Sequence, residues 1–202
     1  MMSVMLQKTS EMTNPHTTRG PQKAPGELEL VRRFVNTRDV EQGTDALDTM
    51  AEAEAWLTEN RLPGAGDLAE PERERLSSVR EALRDMLSSN NAGEPPPRAA
   101  VEELNRQSSE AAIGLRFDAV GSELVTTCDG VDSTIARLLA IVHESMASGT
   151  WERLKACPAD DCLWAFYDHS RNRSRTWCEM EDCGNRAKAR AYRERRRSQP
   201  SR

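Results

Sequence analysis

Long apolar runs and aromatic residues are scarce in this chain of 202 residues. The longest uninterrupted apolar run covers five residues, 138–142, whereas a membrane-spanning helix needs about 20. The first six residues are too few for the apolar region of a secretory leader, which takes about 7 to 15 residues. Aromatic residues make up only 4%, so the core must be aliphatic, which is typical of helical packing. We therefore expect a cytoplasmic chain without a membrane segment and a mainly α fold with small β-hairpins.

Histidines and the motifs of catalysis are equally scarce. His16, His143 and His169 are far apart in the sequence, and neither a nucleophile motif nor a phosphate-binding glycine loop is present. Catalysis by side chains needs a nucleophile, a base and an orienting group close together. We therefore expect that the protein is not an enzyme.

The formal net charge of −5 hides an uneven distribution of charge. Residues 27–150 hold 12 basic and 24 acidic side chains, whereas residues 183–202 hold eight basic and one acidic. An acidic body with a basic tail indicates that the tail contacts a polyanion. The simpler alternative is a basic end that is only solvated.

Cysteines and aromatic residues concentrate near the carboxyl end. Four of the five cysteines lie within residues 157–183, and six of the nine aromatic residues lie in the last 52 residues. Residues 1–26 show no periodicity and cannot bury enough surface to offset their ordering entropy. The predicted organisation is a disordered leader over 1–26, a helical domain over 27–150, a metal-binding module with a basic helix over 151–197, and a tail over 198–202.

Helix and hairpin signals recur in the helical domain. Thr49 and Glu52 stand in the relation of a capping box, and Pro71 opens a segment with apolar residues three or four positions apart. Two short runs, 113–118 and 122–127, are predicted to pair as a β-hairpin.

The start of this domain carries a family resemblance. Residues 28–57, LELVRRFVNTRDVEQGTDALDTMAEAEAWL, resemble the opening of the ABATE domain, with its FVNT stretch and its later D-A-L and W-L. The resemblance covers roughly residues 27–150. It implies a mostly helical domain of bacterial stress-induced transcription regulators, and it carries over no catalytic residue. We expect a regulatory role for the domain, whose signal or small-molecule effector stays unknown.

The strongest pattern in the sequence is CPADDC, followed by fifteen residues and then CEMEDC. Two such pairs allow four thiolates to share one ion from two tight turns. Zinc suits soft thiolate ligands and accepts the geometry that the turns impose. We predict one structural zinc ion, bound by Cys157, Cys162, Cys178 and Cys183.

Other interpretations of the cysteines stay open. Two disulfides would need an oxidising compartment, and iron–sulfur clusters usually show a different cysteine spacing. His169 lies between the two pairs and could replace one sulfur. A segment of about 35 residues cannot close a sufficient core alone, so metal binding and folding of the module should be one event.

A small hairpin and a basic helix are predicted around the cysteines. Residues 164–167 alternate as in a strand, residues 170–175 form a turn, and Trp177 is placed on the return strand. A helix rich in Ala and Arg is expected after Gly184. The predicted module is thus a zinc-binding β-hairpin followed by a helix, similar to a treble clef.

The predicted helix places several arginines on one face. At 100° per residue this stripe consists of Arg186, Arg190, Arg193 and Arg197. Like charges three and four residues apart repel each other. A phosphate backbone bound along the stripe would remove that penalty.

Three motifs in this region resemble the CGNR zinc finger. They are CPADDC, the run D-x-S-R-N-R-S-R-x-W-C over residues 168–178, and CGNR-x-K-x-R over residues 183–190. The resemblance covers residues 151–197. It implies zinc on the same four cysteines and a DNA-binding role in transcription regulation.

We therefore expect a bacterial transcription regulator of the stress response that binds duplex DNA through its zinc module. Asn185 is a candidate reader of adenine, or it organises the ligand turn. The expected phosphate contacts are basic residues of the loop and the helix: Arg171, Arg173, Arg175, Arg186, Lys188, Arg190, Arg193, Arg196 and Arg197.

Other partners are compatible with the same residues. Zinc could stabilise a protein-interaction module whose arginine helix docks an acidic partner, such as a subunit of the transcription machinery. RNA could replace DNA, and the chain could act as a homodimer. The acidic domain could also fold back on the basic tail and restrain it.

Overall fold

The computed structural model describes residues 23–198. The predicted leader up to residue 22 and the tail after residue 198 lie outside the described residues. Residues 23–26 belong to the predicted leader, but they contact the body: Ala24 is buried, and the carbonyl oxygen of Lys23 lies 2.8 Å from Nε2 of His169.

Six α-helices dominate the described residues, and local signals explain where several of them begin and end. Thr49 and Glu52 form the predicted capping box at the start of the second helix. The third helix has a proline in its first turn and ends at Gly93, whose φ of +70° favours glycine. The helices are α1 (Leu28–Val35), α2 (Met50–Glu59), α3 (Glu70–Ala92), α4 (Arg98–Glu110), α5 (Gly130–Ala147) and α6 (Asn185–Ser198).

Between residues 23 and 198 the strands pair as three antiparallel hairpins. They are β1 (Arg38–Asp39) with β2 (Thr44–Asp45), β3 (Gly114–Phe117) with β4 (Ser122–Val125), and β5 (Leu154–Ala156) with β6 (Ala165–Tyr167). The β3–β4 hairpin confirms the pairing predicted for residues 113–118 and 122–127. None of the helices in the described range is long and apolar enough to cross a bilayer.

The core is mainly aliphatic, as the composition predicts. Phe34, Leu57, Leu83, Ile135 and Leu138 are completely or almost completely buried, and they come from four different helices. The fold class is therefore confirmed: a mainly helical body with small β-hairpins and a carboxyl-terminal cysteine module.

The β5–β6 hairpin forms a wall between the helical core and the cysteines. Leu154 pairs with Tyr167 across the hairpin, and both side chains join the helical core. Phe166 pairs with Lys155 and packs instead with the cysteines. Side chains alternate between the two faces of a strand, so this single hairpin belongs to both clusters.

This pairing corrects one detail of the predicted module. We expected β6 to pair with a return strand that carries Trp177. Instead β6 pairs with β5, which precedes it in the sequence, and Trp177 lies in a bend outside the strands. The physical reason is that Leu154 and Ala156 complete the core face of the hairpin, whereas residues 170–175 form a separate loop.

Polar side chains from α3 and from the segment between α1 and β1 hydrogen-bond to the backbone of the β5–β6 hairpin. Asn36 donates its amide to Ala165 O at 2.8 Å and accepts from Ala165 N at 2.7 Å. Arg84 donates to Leu163 O at 2.9 Å, and Asn91 donates to Ala156 O at 2.7 Å. Backbone groups at a hairpin edge need such partners when water is excluded. The helical domain therefore supports the metal-binding module directly.

Replacing Asn36 by alanine is expected to destabilise the protein by about 1 to 3 kcal/mol, because the N–H of the buried Ala165 loses its partner and Ala165 O keeps only the long bond from Arg32, at 3.5 Å. Urea denaturation followed by circular dichroism measures this loss. Asn172→Ala is the matched control, since Asn172 is exposed. Equal unfolding midpoints for the two variants would contradict the anchoring role.

Candidate metal centre

The four predicted ligands converge on one buried point. The sulfurs of Cys157, Cys162, Cys178 and Cys183 all lie within 4.8 Å of one another, and all four residues are buried. Two neighbouring pairs are separated by 3.5 Å (Cys162 to Cys178) and 3.6 Å (Cys178 to Cys183). These separations are too long for a disulfide, whose sulfurs are about 2.05 Å apart.

The sulfur spacing fits a tetrahedral zinc ion. Zinc–sulfur bonds of about 2.3 Å in a tetrahedron place the sulfurs about 3.8 Å apart. The alternative ligand His169 hydrogen-bonds to the carbonyl of Lys23 instead. The donor set is therefore four sulfurs, which select zinc. A zinc ion in such a closed shell has no open position for water, so its role is structural.

Two short turns present the ligands. Cys157 lies just after β5, and its N–H donates to Trp164 O at 2.9 Å, which extends the hairpin. Cys162 N–H donates to Ala159 O at 2.9 Å and closes the first turn. In the second pair, Cys178 precedes a single π-helical turn, Met180–Gly184, and Cys183 lies within that turn, which leads directly into α6.

The protonation of the thiols depends on the cation. Hydrogen bonds from Cys162 and Cys178 lower the pKa of Cys157. The same bonds raise the pKa of Cys162 and of Cys178, and burial raises the pKa of Cys183. A bound divalent cation lowers the pKa of every thiol that it coordinates, so all four thiols are deprotonated in the zinc-bound site. Zinc binding should therefore release protons and weaken as the pH falls.

The CGNR signature supports the ligand turn. A Cβ on Gly184 would overlap Sδ of Met180 and would lie 3.3 Å from the Trp177 ring, so a side chain here would have to displace that of Met180. Asn185 donates its side-chain amide to Glu181 O at 2.9 Å. This bond supports the interpretation of Asn185 as organiser of the turn.

The loop after β6 is organised by a buried ion pair. Lys155 Nζ donates to Asp168 Oδ2 at 2.8 Å, and both residues are buried. Asp168 also accepts from the backbone N–H groups of Ser170 and Arg175, while Lys155 donates to the carbonyls of Arg173 and Arg175. These bonds fix the path of residues 168–175 beside the metal centre.

The three loop arginines predicted to contact phosphates have different surroundings. Arg171 is exposed to solvent. Arg173 forms an ion pair with Glu152. Arg175 donates to the carbonyls of Trp177 and Cys178 and stacks its guanidinium over Phe166 at 5.3 Å. Arg175 is thus bound within the module, whereas Arg171 and Arg173 are exposed.

The helix α6 confirms the predicted helix after Gly184. Its basic side chains beyond the first turn are exposed, whereas Arg186 is half-buried. Arg193 donates to Ala189 O of its own helix, and Arg196 lies over the ring of Tyr192. The basic residues predicted on α6 are therefore presented to solvent, with Arg186 as the exception.

The sequence alone does not reveal the roles of Lys155, Asn36, Arg84 and Asn91. A lysine between apolar Leu154 and Ala156 was the available signal for Lys155, because a charge in a buried strand needs a partner. The three anchors gave no such signal, since polar residues are ordinary at the ends and on the faces of helices.

The comparisons with known proteins agree with this architecture. The sequence matches the ABATE family, described as "Putative stress-induced transcription regulator", over residues 28–148. It matches the CGNR zinc finger over residues 153–196. No curated protein matches the chain. The chain thus belongs to the ABATE family, and its carboxyl-terminal module is a CGNR zinc finger with one site for structural zinc on its four clustered cysteines.

Proposed function

We propose that this regulator binds duplex DNA through helix α6, with the loop over residues 170–175 as a second contact. The observation that carries the proposal is that most basic side chains of the helix lack an acidic partner in the described part of the chain. Within residues 23–198 we find no acidic partner for five of its basic side chains: Lys188, Arg190, Arg193, Arg196 and Arg197. An exposed row of like charges weakens its own helix unless an anion binds.

The shape of the helix supports the same proposal. Only Arg186, Ala187 and Ala191 of its described side chains are half-buried, and the others are exposed. A helix that is polar on all sides is either stabilised by partners or unstable. Its 14 residues span about 21 Å, and the major groove of DNA admits an α-helix.

Binding to DNA is expected to weaken steeply with salt. About six phosphate contacts would give a slope of roughly −5 for the logarithm of the affinity against the logarithm of the salt concentration. Arg190→Gln and Arg193→Gln should each reduce the slope by about one. Fluorescence anisotropy with a labelled duplex measures these slopes.

The control for this experiment is Arg98→Gln, since Arg98 is an exposed arginine on α4 that pairs with Glu102. It should leave both affinity and slope unchanged. A wild-type slope near zero, or equal losses in the Arg98 and Arg190 variants, would overturn the proposal.

An acidic protein partner or a structured RNA could also use an exposed basic helix. Competition separates these possibilities, because unlabelled duplex DNA should displace the labelled duplex better than equal concentrations of structured RNA or of an acidic peptide. The closed shell of four sulfurs supports a non-enzymatic role. The regulatory role of residues 27–150 belongs to the same proposal.

A test of the hypothesis that the acidic domain restrains the basic tail needs a variant that keeps this domain. Deleting residues 1–150 would remove Asn36, Arg84 and Asn91 from the hairpin. It would also expose the apolar face that includes Leu154 and Tyr167. Weak DNA binding by such a fragment would then reflect unfolding rather than lost regulation.

A further inference from the structure

The guanidinium of Arg186 lies between a metal ligand and the helical domain. Its Nη2 donates to the sulfur of Cys183 at 3.1 Å. Its Nη1 lies 2.9 Å from Oε1 of Glu41, which belongs to the loop between β1 and β2. Asp161, in the first ligand turn, is 3.8 Å away. Arg186 is therefore held on two sides, unlike the exposed arginines that follow it.

The negative charge around the sulfurs explains why the guanidinium of Arg186 is favourable there. Four thiolates around one divalent cation carry a net charge of −2. The ligand turns add carboxylates of their own, of which that of Glu179 is half-buried and the others are exposed: Asp160, Asp161, Glu181 and Asp182. A charge-assisted hydrogen bond from a guanidinium stabilises a thiolate and offsets part of this repulsion. Groups that hydrogen-bond to metal ligands typically change metal affinity by about 10- to 100-fold.

We propose that Arg186 is a positioning residue of the zinc centre rather than a nucleic-acid contact. Its guanidinium holds the Cys183 thiolate, and Glu41 of the helical domain orients that guanidinium. The inference rests on the zinc site and is independent of DNA binding. It gives the fourth residue of the CGNR signature a role, and it removes Arg186 from the expected phosphate contacts.

A structural consequence follows for the helix. Arg186 lies in the first turn of α6, and Glu41 lies in a domain that is distant in sequence. The ion pair therefore sets the direction in which α6 leaves the metal centre. Loss of zinc would free the Cys183 end of this link, and loss of Glu41 would free the other end.

The test measures zinc release from the zinc-loaded full chain to an excess of a chromogenic chelator. Arg186→Gln should release zinc at least about 10-fold faster than the wild type does. Glu41→Gln should accelerate release by a smaller factor, since it leaves the bond from nitrogen to sulfur in place. Arg190→Gln is the matched control on the same helix and should release zinc at the wild-type rate. Equal rates for the Arg186 and Arg190 variants would overturn the proposal.

A second readout separates this proposal from the proposed function. Circular dichroism first establishes that both arginine variants keep the wild-type helix content. With zinc bound, Arg186→Gln should keep the wild-type salt slope of DNA binding, whereas Arg190→Gln reduces that slope by about one. A slope reduced by about one in Arg186→Gln would identify Arg186 as a phosphate contact and overturn the proposal. Absence of DNA binding in the wild type would sink only the proposed function, because zinc release is measured without DNA.

Discussion

Replacing Cys162 by serine is expected to abolish zinc binding and to lower the melting temperature by about 10 °C or more. The cysteines are most of the interior of their own cluster, in which Trp164 and Phe166 complete the packing. Structural zinc contributes on the order of 10 to 16 kcal/mol in zinc-finger peptides. The helical domain supports the hairpin here, so we expect a loss of about 5 kcal/mol, and each kcal/mol corresponds to about 2 to 4 °C in a chain of this size.

Native mass spectrometry and thermal unfolding together measure this effect. The wild type should carry one zinc ion per chain, and Cys162→Ser should carry none. Cys128→Ser is the matched control, because Cys128 is the one described cysteine outside the cluster and is half-buried. It should keep one zinc ion and a melting temperature within a few degrees of the wild type. A serine variant at Cys162 that still holds one zinc ion would contradict the assignment of the site.

The metal site could be predicted because its signal is local. All four ligands lie within 27 residues, and each pair is formed by one short turn. The residue type limits the metal, and the spacing limits the turn. The same holds for the capping box at Thr49, for the β3–β4 hairpin and for α6, whose patterns are each contained in fewer than 20 residues.

The β5–β6 pairing could not be predicted because β5 is short and because distant residues decide which of its faces is buried. The strand β5 has three residues, with Lys155 in the middle, and an apolar–polar alternation over only three residues is too short to predict a strand. Its face is decided by the helical core, which is formed by residues far away in sequence. The loop over residues 170–175 carries turn residues, and these by themselves predict the tip of a hairpin.

The anchors between the two parts illustrate a more general limit. Asn36, Arg84 and Asn91 bind backbone carbonyls that are 129, 79 and 65 residues away. Every residue has a backbone carbonyl, so the residue types in the sequence do not show which carbonyl a side chain will bind. These contacts turn a module that we expected to be held by zinc alone into one that also depends on the helical domain.

Replacing Asp168 by asparagine is expected to cost about 3 to 5 kcal/mol, because Lys155 would stay buried without its charged partner. Although burial raises it, hydrogen bonds from Lys155 and from the N–H groups of Ser170 and Arg175 lower the pKa of Asp168 to about 2. The pKa of an unfolded aspartate is about 3.9. This carboxylate therefore stabilises the fold fully above about pH 5, and the contribution is lost as the pH falls toward 2.

Urea denaturation at pH 7 measures the loss, and the gap between wild type and Asp168→Asn should narrow below about pH 4. The double variant Lys155→Met/Asp168→Asn tests the cause. It removes both buried charges, and replacing a buried ion pair as a whole costs far less than removing one partner. The double variant should therefore be more stable than Asp168→Asn alone, with a coupling of about 1 kcal/mol or more. Additive losses would show that Asp168 acts only through the backbone groups of its loop, and an unchanged midpoint for Asp168→Asn would show that the pair does not hold the loop at all.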